Sequence, residues 1–300
     1  MGTTVVPWTD SFELDEGLFR DEITGLLSAD YTNLYIFGTA GEGYAVDDAQ
    51  FEQIARVFVD QMRAGNAEPM VGVISLSLPT MLRRIGYARE RLGVRRFQIS
   101  LPSWGALEEA EVRAFFDDVL GRFEDCQFLH YNLLRTKRLV SATEYAAIAA
   151  DHPNLVATKN STDSMQRVRE LFSSASMLRH FVNERGFAYA SLFAEPGLLI
   201  SLATINLEMG KRYFAAGQAR DVATLIELDG ELHAIGQHFL STVSGGRGLI
   251  DIDGAYDKVL WWLHDQRFPL RLLPPYVGAS ASSAEAFLKV LRTRYPNWAP

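Results

Sequence analysis

Lys159 stands where an amine could do covalent chemistry: it closes the run Leu155-Val156-Ala157-Thr158-Lys159-Asn160. Alternation along a strand puts Leu155, Ala157 and Lys159 on one face. Desolvation at such a strand tip disfavours the ammonium and frees the amine to attack carbonyls. A lysine paired with a carboxylate and catalytically idle fits the same residues equally well. A second run, Leu129-His130-Tyr131-Asn132, ends close to a tyrosine that could move protons. Leu129 and Tyr131 share a face, and His130 takes the other. A tyrosine that only anchors its hydroxyl is the plain alternative. The third feature is Gly38-Thr39-Ala40-Gly41-Glu42-Gly43, with three glycines in six residues. Such a loop turns tightly and can expose consecutive N–H groups to an anion, a phosphate or a carboxylate. It matches neither GxGxxG nor GxxxxGK[ST], so a structural turn remains the simpler reading.

These residues need elements to position them. Short β-rich runs fall at 3–6, 33–37, 70–74, 97–100, 127–131, 155–158, 178–182 and 197–201. Helical period fills the stretches between, at 47–63, 78–92, 108–123, 142–150 and 164–173. Strands alternating with helices predict a parallel sheet, and eight of them close into a (β/α)8 barrel. In such barrels the chemistry sits at the C-terminal ends of the strands, where all three features lie; His130 would then face the helices. Beyond Asn206 helical period takes over at 207–216, 222–241, 252–266 and 282–295. We therefore expect a barrel core over 1–206 and, over 207–300, the last barrel helix with a C-terminal helical subdomain. Ser244-Gly245-Gly246-Arg247-Gly248 reads as a loop between two of those helices.

Composition excludes several classes. Of the 300 residues, 48% are hydrophobic and 22% charged, the balance of a globular chain. A net charge of −8 repels nucleic acid and anionic lipid, so neither is an expected partner. A single cysteine, Cys126, rules out an internal disulfide framework and points to a reducing cytoplasm. No apolar segment precedes Arg20 as a secretory signal would require. The apolar stretch 187–205 is broken by Glu195-Pro196-Gly197, which fits a helix, a turn and a buried strand better than a membrane span. The six histidines show no HExxH pattern, no metal site is expected, and no GxSxG elbow supports a serine hydrolase.

At these residues the sequence resembles the dihydrodipicolinate synthase / N-acetylneuraminate lyase family of Schiff-base-forming (class I) aldolases. Gly38-Thr39-Ala40-Gly41-Glu42 is similar to the family's G-[ST]-T-G-E loop, and Tyr131-Asn132 to its Y-N at the end of strand five. Lys159, 28 residues after Tyr131, resembles the imine-forming lysine. The resemblance implies a lyase, aldolase or hydro-lyase acting on pyruvate or a related 2-oxo acid; it leaves the second substrate unnamed, an aldehyde being the expected class of partner. Lys159 would form the imine. Tyr131 would shuttle protons. The loop at Gly38, Thr39 and Ala40 would hold the carboxylate. No metal or diffusible cofactor is implied, and a homo-oligomer, a tetramer or dimer, is.

Departures from the family pattern concern the second substrate. Ala40 replaces a hydroxyl residue, and Pro102-Ser103-Trp104 stands where the synthases have P-Y-Y. Arg135 comes one residue earlier than the synthases' acceptor-binding arginine. Asn183-Glu184-Arg185-Gly186 falls where the sialic acid lyases have G-Y-D-E, so Arg185 is expected to bring positive charge to the acceptor side. Trp104, Arg135, Asn183 and Arg185 are thus candidate substrate contacts. Two alternatives accompany this reading: dihydrodipicolinate synthase itself, and an inactive barrel that binds an oxo acid as a regulator. A pure binder has no use for an imine-forming lysine.

Overall fold

The computed structural model describes residues 1–244 and 253–300. The loop reading at 244–248 therefore lies, beyond Ser244, outside the described residues, as does Ile252. Eight parallel strands follow one another in chain order: β1 (Gly2–Thr3), β2 (Leu34–Ile36), β3 (Met70–Gly72), β4 (Arg96–Ile99), β5 (Gln127–Asn132), β6 (Leu155–Asn160), β7 (Arg179–Val182) and β8 (Gly197–Leu198). The ring closes through Met1, whose nitrogen donates to the Leu198 carbonyl at 2.7 Å and whose carbonyl accepts from Ile200 N at 3.0 Å. The expected (β/α)8 barrel with a C-terminal helical part is the architecture found.

Helices α1 (Glu16–Ser28), α2 (Asp48–Ala64), α3 (Leu78–Arg91), α4 (Glu109–Leu120), α5 (Ala142–Asp151), α6 (Met165–Ser174) and α7 (Glu184–Ala190) lie between the strands. Their starts are written locally. Asp47 caps α2 and exchanges hydrogen bonds with Gln50, and Ser141 does the same with Glu144 at α5. One face of α2 then buries Phe51, Ile54, Ala55, Phe58 and Met62, the spacing of a helix against a sheet. The stretch 187–205 resolves as predicted: the end of α7, a turn, β8 and a short 3₁₀ turn over Leu202–Ile205. No helix among the described residues is long and apolar enough to cross a membrane.

Inside the barrel Tyr35, Met70, Leu129, Ala157 and Leu199 form their own apolar layer. Here the structure corrects the simple alternation. The β5–β6 register shifts between Phe128 and Leu129, so Leu155 pairs with Phe128 and packs with the helix layer. Ala157 and Lys159 keep the inner face without it. His130 faces outward as expected, with Nδ1 on the Tyr145 hydroxyl at 2.6 Å. Burial there holds its imidazole down at about 3.

The remaining helices are α8 (Leu207–Ala219), α9 (Val222–Val243), α10 (Asp253–His264) and α11 (Ala281–Arg294). Their apolar faces make one cluster with Val182, Phe187, Leu198 and Ile200, covering the β7–β8 side. A second attachment is polar. The Glu42 carboxylate, fully buried, pairs with the buried Lys258 ammonium at 2.6 Å and accepts from Trp8 Nε1 and Leu273 N, each at 2.8 Å. Lys258 also donates to the Arg271 carbonyl. This clasp locks α10 against the loop after β2.

Candidate active site

The C-terminal ends of the strands open into a cavity of about 870 Å³, lined by Lys159, Tyr131, Tyr35, Ala40 and Asn183 among others. Lys159 is 5% exposed. Its Nζ donates to the Tyr35 hydroxyl at 2.6 Å and lies 3.7 Å from the centre of the Tyr131 ring. The amine is thus held between a hydroxyl and an aromatic face rather than against a carboxylate. Burial raises the pKa of Tyr131, while Lys159 and the nearby Thr39 hydroxyl pull it back. Burial likewise raises Tyr35, opposed by Thr3. Both phenols stay protonated at neutral pH and can donate.

Tyr35 was missed in the sequence because it reads as one more strand residue. Its signal lies in Gly38. A Cβ at Gly38 would stand 2.5 Å from the Tyr35 ring, so glycine there admits the ring that meets Lys159. That is the place of Gly38 in the site; it does not line the cavity. The loop departs from the sequence reading in a second way. Its left-handed positions are Phe37 at φ 63° and Glu42 at φ 54°, not the glycines. Gly43 is needed for close approach, since a Cβ there would meet the Phe37 carbonyl oxygen at 2.4 Å. Thr39 is buried, and its Oγ1 has no hydrogen bond of regular geometry among the described residues, although it adjoins Tyr131. The N–H groups of Thr39 and Ala40 donate to no described residue. Ala40 lines the cavity, whereas Thr39, expected as a substrate contact, is buried behind it and does not.

Asn132 shapes the wall. Its side chain donates to the Val140 carbonyl at 2.9 Å and accepts from Val140 N at 3.0 Å, pinching together the ends of the loop after β5. Arg135, carried by that loop, lines the cavity and pairs with Asp253 of α10 at 3.0 Å. Asn183 lines it too and caps α7 by accepting from Gly186 N at 3.1 Å.

Arg185 and Trp104, expected as contacts, are likewise not brought to the cavity. Arg185 reaches His233 on α9 at 2.6 Å and Asp163 at 3.7 Å. Successive helical residues turn by about 100°, so with Glu184 on the cavity Arg185 is carried round toward α9. Trp104 is 83% exposed and lines no part of the cavity; its carbonyl accepts from Lys137 Nζ at 2.7 Å. The positive charge on the cavity wall, besides Lys159, comes from Arg135 and Arg167 instead of Arg185, and acids accompany it. Glu184 lines the cavity and accepts from Ser201 N at 2.8 Å, and burial raises its carboxyl. Asp253 and Asp257 line it from α10.

Comparison with known proteins follows the same lines. A 4-hydroxy-tetrahydrodipicolinate synthase of Exiguobacterium sibiricum is 25% identical over 56% of this chain and 56% of its own length. The chain thus spans about half the length of that curated relative. A probable 5-dehydro-4-deoxyglucarate dehydratase of Bradyrhizobium sp. is 22% identical over 74% of this chain and 70% of its own. Among solved structures, YagE, a prophage protein of the dihydrodipicolinic acid synthase family from E. coli K12 in complex with pyruvate, has the same fold. It superposes with a TM-score of 0.83 at 16% identity, over 97% of each chain. Residues 1–181 match the Dihydrodipicolinate synthetase family, and the chain belongs to that family.

Proposed function

We propose that this protein is a Schiff-base lyase of 2-oxo acids, with pyruvate or a close relative as first substrate. One observation carries the reading: the buried Lys159 amine opens onto the cavity between the Tyr35 hydroxyl and the Tyr131 ring. The amine would attack the C2 carbonyl and lose water to give an imine, with Tyr35 and Tyr131 relaying the protons. The N–H groups of Thr39 and Ala40, with the Thr39 hydroxyl beside Tyr131, would hold the carboxylate. The protonated imine draws electrons from C3, so a bond there can form to an aldehyde or break.

Glu184, Asp253 and Asp257 line the acceptor side together with Arg135 and Arg167, and this mixed polar lining supports a hydroxyl-rich partner. Dihydrodipicolinate synthase activity is the weaker reading, since Arg135 is held by Asp253 and Arg185 faces α9. The same proposal includes a cytoplasmic setting, supported by the buried, unpaired Cys126. It also includes a homo-oligomer, supported by the exposed Leu76, Trp104 and Leu134 on three successive loops after β3, β4 and β5.

Borohydride decides the chemistry. Incubation with pyruvate and borohydride should leave a reduced adduct on Lys159, located by mass spectrometry of the digest, and Lys159→Ala should abolish it. An unmodified Lys159 across a panel of 2-oxo acids would refute the mechanism.

A further inference from the structure

Asp257 is 9% exposed and lines the cavity together with Lys159 and Tyr131. Its carboxylate makes no hydrogen bond or ion pair among the described residues, an uncommon state for a buried acid. It is nevertheless firmly placed. The next residue, Lys258, is locked into the Glu42 clasp, and on a helix the direction of one side chain fixes its neighbour's. Five charged or titratable groups face it from five elements: Asp253 on its own helix, Lys159 on β6, Glu184 on α7, Tyr35 on β2 and Glu22 on α1. Asp253 is paired with Arg135, and Glu22 accepts from Val5 N at 2.8 Å, whereas Asp257 keeps its oxygens for the cavity.

We propose that Asp257 is a further catalytic residue, the acid–base group that moves the C3 proton of a 2-oxo acid bound to Lys159; this rests on the imine reading above. In the protonated imine of pyruvate, C2 is joined to Lys159 from the strand side and its carboxylate is drawn toward the loop after β2. C3 is left facing the open cavity, which α10 helps to line. The step is a transfer of one proton. The C3–H bond breaks, the proton passes to an Asp257 oxygen, and the bonding pair becomes the C2–C3 double bond. The former C2–N π pair settles on nitrogen, giving a neutral enamine. Reversal returns a proton from the Asp257 carboxyl to C3. Burial pushes this carboxyl up, Asp253 adds to the effect, Lys159 opposes it and Glu184 adds again, leaving it at about 8. A group titrating there supplies both forms near neutrality, as a reversible proton carrier must.

The test needs pyruvate alone. In deuterated water the full-length protein should exchange the pyruvate methyl protons, followed by proton NMR and normalised to the imine trapped by borohydride. The base form is required, so normalised exchange should climb as pH rises through about 8 and then level off. Asp257→Asn should keep trapping at Lys159 and lower normalised exchange by roughly 10²–10⁴-fold, with Asp257→Glu restoring part of it. Wild-type exchange in Asp257→Asn, or a profile flat across that region, would overturn the proposal. Trapping lost only in Asp257→Asn would make the residue structural and overturn it as well. Trapping absent from the wild-type protein would instead bring down the imine reading.

Discussion

At the scale of single residues, the amine is prepared by two aromatic side chains with different tasks. The Tyr131 ring offers Lys159 a face, and the Tyr35 hydroxyl offers it an oxygen at 2.6 Å. Tyr35→Phe keeps the ring and its packing, so the thermal melt should change little. The rate of imine trapping with pyruvate should fall by roughly 10²-fold if the hydroxyl relays protons. An unchanged rate would leave Tyr35 a packing residue. Lys159 and Tyr131, which the structure places together on the cavity, were legible only as strand-tip residues with idle alternatives until the family resemblance singled them out. Tyr35 was not legible, because nothing in a strand's pattern says which ring lies against the amine. Arg185 was misplaced because a motif gives spacing but not the phase of the helix that follows. Leu155 was misplaced because a register shift leaves no trace in an alternating run.

At the scale of elements, the buried Glu42–Lys258 pair joins the loop after β2 to α10. Burial lowers Lys258 to about 8, with Glu42 opposing the shift, so the pair is held by position as much as by charge. Removing one partner strands the other in the interior. Lys258→Met should therefore destabilise the fold by about 3–5 kcal/mol in denaturant melts, and Glu42→Gln added to it should recover much of that loss. Equal melts for the single and double variants would show that no coupling exists. Strand and helix order was legible in the alternation of periods two and three-and-a-half. The part α10 plays at the site was not, because it depends on a helix late in the chain folding back over the second strand. Its one sequence trace is Asp257-Lys258, a charged pair inside an otherwise apolar turn of helix.

At the scale of the whole molecule, three of the exposed apolar side chains stand on successive loops at the barrel's mouth. Leu76, Trp104 and Leu134 are 59%, 83% and 75% exposed, each on a loop after consecutive strands. Exposed apolar side chains on neighbouring loops are candidates for contact with another copy of the chain. Light scattering at micromolar concentration should find a homo-oligomer, and Trp104→Glu should shift it toward monomer without loss of the fold. A wild-type monomer would remove that part of the proposal.

The clasp also has a consequence in time. Glu42 receives its last hydrogen bond from Leu273, 231 residues further along the chain. At ribosomal speeds of about 5–20 residues per second, that interval is roughly 10–50 s. For most of that interval, until Lys258 is made, a nascent barrel carries the Glu42 acid with no counter-ion beside the loop after β2. The cavity wall is thus among the last parts of the molecule to be finished, and a chain released early would be a barrel whose mouth lacks the α10 wall.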